Sequence, residues 1–167
     1  MAKKVEKKPG QVEKKPGFVP ENAPPGLFIN AQYLKDLSFE NPNPIDAYQT
    51  TEKPDIKVDI NTTVKKLPNN SFEVTLDIKT EAKKKEKVAF IAEVSYAGIF
   101  TLNKIPPEQE KPFLLIEAPR MLFPFARNVL AETTRDGGYP PLMLNPIDFN
   151  ALYQKQMAGQ QENQKKN

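Results

Sequence analysis

Four stretches of the chain alternate hydrophobic and polar residues, and this two-residue period predicts β-strands with one apolar face. In the first stretch most apolar side chains occupy odd positions, and the series is broken only by Lys35. The later stretches are joined by short segments of turn-forming residues, such as Asn69 and Asn70. Short connections of this kind favour antiparallel hairpins over strands joined by helices. The predicted strands are 27–39, 55–64, 71–82 and 88–102.

The hydrophobic period changes to three and four residues in the C-terminal third of the chain, which predicts helices. One helix is expected over residues 121–135, kinked or restarted by Pro119 and Pro124. A second is expected to begin at Asn145, an N-cap residue followed by Pro146 at the first helical position. The predicted fold is therefore α+β: a four-stranded antiparallel sheet, in meander order, with two C-terminal helices on one face.

The chain contains no cysteine and no histidine among its 167 residues. Their absence excludes disulfides, the usual zinc, haem and iron–sulfur ligand sets, and Ser-His-Asp or Cys-His catalysis. The sequence has no spaced acidic calcium loop, no glycine-rich nucleotide loop and no apolar run of membrane-spanning length. We therefore expect a cytoplasmic protein that does not insert into the membrane.

The net charge of +3 is distributed unevenly, because residues 1–17 carry +4 and residues 155–167 carry +2, which leaves −3 on the remainder. The basic N-terminus contains the repeat VEKKPGQ-VEKKPGF, whose composition is typical of a flexible arm. Such an arm is either a solubilising tail or a tether for nucleic acid or acidic lipid. The predicted parts of the chain are a disordered basic arm (1–25), one folded domain (26–157) and a disordered tail (158–167).

Three segments resemble the SecB family of protein-export chaperones of Gram-negative bacteria. They are YLKDLSFENPN (33–43), FIAEVSYAGIF (90–100) and LFPFARNVLAETTRDGGYPPLMLNPIDFNALY (122–153). The resemblance implies a homotetramer, assembled as a dimer of dimers, that holds unfolded precursor proteins and delivers them to the motor ATPase SecA. It implies no catalysis, no cofactor and no use of ATP by the chain itself.

The resemblance also implies an acidic surface for motor docking on the exposed face of the sheet. The strand pattern independently places Asp36 and Glu40 on a polar face and Glu93 opposite the apolar series. Carboxylates on a rigid sheet suit a cationic partner and steer its approach, although simple solubility would also explain them. The matching positions for motor docking are Asp36, Glu40, Ile91 and Glu93.

Two further sets of positions follow from the resemblance, and ordinary core packing is an alternative for each. The family's subunit contact matches Ala92, Val94 and Tyr96, where Tyr96 replaces a familiar polar residue. A familiar groove tryptophan is absent, and Glu52 stands at that position. The client-binding groove matches Tyr48, Phe90, Leu142, Leu144, Phe149, Leu152 and Tyr153.

The proline-rich segment 139–144 fits one wall of such a groove. It carries apolar side chains on a backbone that Pro140 and Pro141 exclude from a central strand. Proline lowers the entropy cost of keeping such a segment extended without a sheet partner. We therefore interpret it as an apolar strap that stays accessible to different client segments.

Three other functions stay open at this stage. A small β-rich enzyme or ligand carrier would need convergent polar groups, and the sequence contains no such motif. A SecB-like chaperone dedicated to one partner, such as an antitoxin, would have the same sequence features. Nucleic-acid binding by the lysine-rich arm would depend steeply on salt, but the acidic body gives no support for a nucleic-acid-binding domain.

Overall fold

The chain folds as an α+β unit in a computed structural model that describes residues 17–49 and 51–164, with the backbone alone at 48 and 160–164. None of the helices in this part has the length and apolar character needed to cross a membrane. The strands are β1 (Gly26–Glu40), β2 (Asp55–Leu67), β3 (Ser71–Lys84) and β4 (Lys87–Asn103). The helices are α1 (Pro44–Gln49), α2 (Pro107–Pro112), a π-helical turn (Phe113–Glu117), α3 (Ala118–Asp136) and α4 (Phe149–Gln164).

The strands form one antiparallel sheet in the order β1-β4-β3-β2. The hairpins from β2 to β4 agree with the predicted meander, but β1 lies beside β4 and not beside β2. The sheet is therefore a Greek key, in which the connection 41–54 carries the chain from one edge to the other. Alternation within a strand does not reveal which edge a distant strand will join, so the predicted meander order is wrong for β1.

Two bulges in β1 change which side chains share a face. The register with β4 shifts between Ile29 and Ala31 and again between Leu34 and Asp36. The first bulge moves Ala31 and Tyr33 out of the apolar series to which their odd positions assigned them. The second restores the original alternation, so that Asp36 and Glu40 lie on the polar face as predicted.

The hydrophobic core lies between α3 and one face of the sheet, formed largely by β3 and β4. Leu122 and Leu130 of α3 are fully buried there. Gly98 of β4 allows α3 to approach closely, because a Cβ at this position would lie 2.9 Å from Leu122 Cδ2. The opposite surface of the sheet, which carries Asp77, Glu93 and Ser95, is called the open face below.

The helix predicted over 121–135 is longer than expected, because helical structure begins at Pro107 and continues to Asp136. Pro112 and Pro119 flank the π-helical turn, where missing backbone donors loosen the ordinary helical hydrogen-bond pattern. The α-helix restarts next to Pro119, as predicted, but runs through Pro124. Prolines and charges in 106–112 conceal the apolar period, which explains why this part was missed.

The last helix begins at Phe149 rather than at Asn145. Asp148 is its N-cap, because Asp148 Oδ1 accepts a hydrogen bond of 3.1 Å from the Ala151 amide. Burial of Phe149, which is 1 % exposed, selects this start over the upstream Asn-Pro pair. The backbone is helical to Gln164, beyond the boundary expected at residue 157.

Ordered contacts begin before the domain boundary expected at residue 26. Ala23 is buried, and Asn103 Nδ2 donates a hydrogen bond of 3.1 Å to its carbonyl. Asn30, the bulged residue of β1, donates from Nδ2 to the carbonyl of Phe18 at 2.8 Å. Residues 17–25 therefore belong with the sheet, whereas residues 1–16 of the expected arm lie outside the described part.

Candidate functional site

The open face brings together the four side chains matched to motor docking. Glu40 pairs directly with Ile91, and the Ser38–Glu93 pair lies between this pair and Asp36. Directly paired residues share a face, so all four side chains project from the same side of the sheet. Asp36 and Glu40 are exposed, while Ile91 and Glu93 are half-buried. The arrangement is a shallow acidic surface with one apolar side chain.

Lysine neutralises this surface only in part. Glu93 forms an ion pair with Lys79 of β3, and this carboxylate raises the pKa of Lys79, with weaker contributions from Glu81 and Glu40. Among the described residues, Asp36 and Glu40 have no ion-pair partner within 4 Å. The surface is therefore negative overall and suited to a cationic partner.

A second polar group on the open face was not predicted. The first bulge of β1 turns Tyr33 onto this face, where its hydroxyl donates to Glu73 of β3. Burial and this hydrogen bond raise the pKa of Tyr33 to about 12. The bond from Tyr33 and a 3.0 Å contact with Lys35 lower the pKa of Glu73. The bulge carries no local sequence signal, because Tyr33 continues the odd-numbered apolar series.

The residues matched to a subunit contact lie in the core of a single chain. Ala92, Val94 and Tyr96 face α3 and are 0 %, 1 % and 9 % exposed. They have almost no surface left for a direct contact with another chain, which agrees with the core-packing alternative. Tyr96 stacks on Phe125 of α3, with ring centroids 6.1 Å apart, and Phe125 itself is 46 % exposed.

An uncovered apolar patch surrounds this aromatic pair. Leu34 pairs with Tyr96 across β1 and β4, and Leu37 pairs with Val94. Met121 precedes Phe125 by one turn of α3. We call Leu34, Leu37, Met121 and Phe125, each at least 40 % exposed, the β1–α3 patch.

The strap is fixed by polar residues at its start. Thr134, in the last turn of α3, accepts a hydrogen bond of 2.9 Å from the Leu142 amide and donates to the Leu130 carbonyl at 3.0 Å. The Tyr139 hydroxyl lies 2.8 Å from both Asn41 Oδ1 and the Ala89 carbonyl. Sequence reasoning missed these anchors; the only available signal was a threonine ahead of the glycine pair that ends the helix.

The strap, residues 51–54 and single residues of β2, β3 and β4 line a pocket of about 550 Å³, which we call the strap pocket. Phe90 and Leu142 of the expected groove line it, together with Tyr139, whose ring centroid lies 4.9 Å from that of Phe90. Glu52 also lines it and forms a 3.4 Å ion pair with Lys85. The pocket is thus an apolar cavity with a charged rim.

The other positions matched to the groove are distributed differently. Leu144 and Phe149 are buried, and the Phe149 ring packs edge-on against Phe123 with centroids 6.0 Å apart. Leu152 and Tyr153 are half-buried against the core. The side chain of Tyr48 lies outside the described part of the chain. Among the described residues, the groove positions are therefore divided: Phe90 and Leu142 line the strap pocket, whereas Phe149 lines a second cavity of about 620 Å³.

Comparison with known proteins gives consistent matches. The family model described as preprotein translocase subunit SecB matches residues 20–160. A protein-export protein SecB from Afipia carboxidovorans is 50 % identical over 143 residues, covering 85 % of this chain and 89 % of its own. The homologue from Rhodospirillum centenum is 51 % identical over 141 residues, covering 82 % and 83 %.

A solved structure has the same fold. It contains a SecB-like chaperone of Mycobacterium tuberculosis in complex with a peptide from the antitoxin HigA1. The two chains superpose with a TM-score of 0.60 at 15 % sequence identity, over 73 % of this chain and 91 % of that one.

Proposed function

This chain belongs to the SecB family of protein-export chaperones, and we propose that it holds unfolded precursor proteins in the cytoplasm and delivers them to the motor ATPase SecA without using ATP. The observation that carries the proposal is the separation of two surfaces on one chain. The apolar strap pocket suits exposed hydrophobic segments, and the acidic open face suits a cationic protein. A client and a motor can therefore be bound at the same time.

Client binding follows from apolar burial in the strap pocket. Each leucine or phenylalanine side chain of a client that enters such a site contributes about 1.5–3 kcal/mol. Three to five such side chains, less the ordering of the client, correspond to an affinity of about 1 μM. A folded protein keeps these side chains inside and does not compete. The strap pocket therefore selects chains that remain unfolded.

Several weak sites on one assembly would strengthen this binding. We propose that the β1–α3 patch is covered by another copy of the chain in a dimer of dimers, because four large apolar side chains on one surface favour association. The buried subunit-contact positions would then act indirectly, by holding Phe125 through its stacking partner Tyr96. One long client bridging several pockets would gain affinity by avidity.

Motor docking is assigned to the open face. The Asp36 and Glu93 carboxylates would steer a cationic partner, and each exposed charge pair adds little affinity by itself. Reversing both charges, Asp36→Lys with Glu93→Lys, should weaken binding to purified SecA about tenfold while oligomer mass and client holding stay unchanged. Glu108→Lys with Glu132→Lys changes the net charge equally on the exposed helices and serves as the control. Equal binding by both double variants would contradict the assignment.

The client site is tested separately. Leu142→Asp places a charge in the strap pocket and should weaken the holding of an unfolded precursor at least tenfold. Val64→Asp, at a position 38 % exposed on β2, is the matched control. If the folded Leu142 variant holds precursors normally, the pocket is not the client site.

A chaperone dedicated to one partner is the second candidate, because the fold also matches a SecB-like chaperone that was solved with an antitoxin peptide. Capture of client complexes from growing cells separates the two functions. Many different precursors would support export, and one dominant small partner would support the dedicated function.

A further inference from the structure

The end of β1 joins the open face to the start of the strap. Glu40, the last residue of β1, pairs with Ile91 and carries one of the open-face carboxylates. The residues on either side of Glu40 contact the strap region instead. A Cβ placed on Gly137, two residues before the strap, would lie 2.2 Å from Phe39 Cζ, which shows how closely the Phe39 ring packs there. Asn41 makes the polar contact on the other side of Glu40.

Asn41 forms two hydrogen bonds with this region. Its Nδ2 donates to the Gly137 carbonyl at 3.2 Å, and its Oδ1 accepts from the Tyr139 hydroxyl at 2.8 Å. The same hydroxyl lies 2.8 Å from the carbonyl of Ala89 in β4. We call Asn41, Ala89 and Tyr139 the Asn41 clamp. The clamp ties the end of β1 to β4 beside the residues matched to motor docking.

The Tyr139 ring belongs to the proposed client site. It lines the strap pocket, and its centroid lies 4.9 Å from that of Phe90, which lines the pocket as well. Phe90 in turn stacks on Phe39, with ring centroids 5.8 Å apart. A client side chain in the pocket would therefore contact a ring whose hydroxyl is bonded to Asn41. A restraint on that ring reaches Asn41 through a single hydrogen bond of 2.8 Å.

We propose that Asn41 is a positioning residue that couples the strap pocket to the open face, an inference that rests on the proposed binding of a client and a motor at these two surfaces. A client that packs against Tyr139 orders the clamp, and with it the neighbouring Glu40 carboxylate. Part of the ordering that docking requires is then already complete, so the loaded chain binds the motor more tightly than the empty one. The effect is reciprocal, because two linked sites change each other's affinity by the same factor, typically at least about fivefold.

The test compares the affinity of the full-length protein for purified SecA with and without a saturating short peptide rich in leucine and phenylalanine. The peptide should tighten SecA binding about fivefold in the unchanged protein and less than about twofold in Asn41→Ala. Asn43→Ala is the matched control, because Asn43 lies in the same connection and its Nδ2 donates to the Val88 carbonyl at 3.0 Å, a bond that does not involve Tyr139. This control should keep the full effect of the peptide.

Tyr139→Phe is the second variant, since it removes the hydroxyl of the clamp and keeps the ring. It should reduce the effect of the peptide to the same extent, and combining it with Asn41→Ala should bring no further loss. This milder change decides the test if circular dichroism shows that Asn41→Ala is unfolded.

Three results would overturn the coupling and leave the proposed function intact. They are an effect of the peptide that survives in either folded variant, an equal loss in Asn43→Ala, and no effect of the peptide on SecA binding in the unchanged protein. Failure of the unchanged protein to bind the peptide or SecA at all would instead contradict the proposed function, and the coupling with it.

Discussion

The Tyr33 hydroxyl donates a hydrogen bond to the Glu73 carboxylate although β4 lies between their strands. The bond is possible because Tyr33 pairs with Ala97, a residue small enough for the phenol to extend over it to β3. It ties three strands together on the open face and depends on the bulge that turned Tyr33 to this side.

Replacing Tyr33 by phenylalanine should lower the free energy of unfolding by about 1.5 kcal/mol, the lower end of the range for a hydrogen bond to a charged group. The pKa of Tyr33 is raised to about 12, so its contribution to stability is full below pH 10 and is lost as the pH rises from 10 to 12. Denaturant unfolding at pH 8 and pH 12 measures both effects. Tyr153→Phe is the control, and an equal loss in that variant would contradict the role of the Glu73 bond.

Replacing Thr134 by valine should loosen the strap. The change removes the acceptor for the Leu142 amide and should cost about 1–3 kcal/mol of stability, with weaker client holding because Leu142 lines the pocket. Thr133→Val removes a neighbouring hydroxyl that bonds only the Val129 carbonyl within its own helix. Amide exchange at residue 142, faster in the first variant and unchanged in the second, would distinguish the two.

Replacing Phe125 by aspartate should dissociate the proposed assembly of copies. A charge in the β1–α3 patch opposes burial of this surface between copies, so the mass measured by light scattering should fall by at least half at micromolar concentration. Ile45→Asp, at a position 72 % exposed on α1, should leave the mass unchanged. An intact assembly in the Phe125 variant would show that the β1–α3 patch is not part of the interface between copies.

Replacing Asp148 by alanine should destabilise the start of α4 by about 1 kcal/mol, because the Ala151 amide loses its capping acceptor. Asn145→Ala alters the residue that the sequence favoured as the cap and should have little effect. Amide exchange at residue 151 measures the difference. Faster exchange only in the Asn145 variant would show that Asn145, and not Asp148, is the N-cap of α4.

The predicted strands 55–64, 71–82 and 88–102 agree with the observed ones because alternation is a local property. The place of β1 was not predictable in the same way, since it depends on a pairing between residues as distant as Gly26 and Asn103. Bulges at Asn30 and Lys35 likewise follow from the fit to β4 and have no pattern of their own, although Lys35 interrupted the apolar series at the correct place.

For the candidate sites, the polar positions were easier to predict than the apolar ones. Asp36 and Glu93 lie on one face because strand alternation determines the side of each carboxylate. Leu144 has the same apolar character as Leu142, yet it is buried while Leu142 lines a pocket. Hydrophobicity alone does not distinguish a core residue from a groove residue, because the distinction depends on what α4 and the strap cover.

The Greek-key order has a consequence for how each chain is made. β1 is synthesised first, but its partner β4 follows later: Ile91 comes 51 positions after Glu40, and Asn103 comes 77 positions after Gly26. At about 5–20 residues per second, the first strand waits on the order of 3–15 s without its neighbour. During translation, the nascent chaperone therefore presents an unpaired hydrophobic segment of the kind it later holds in other proteins.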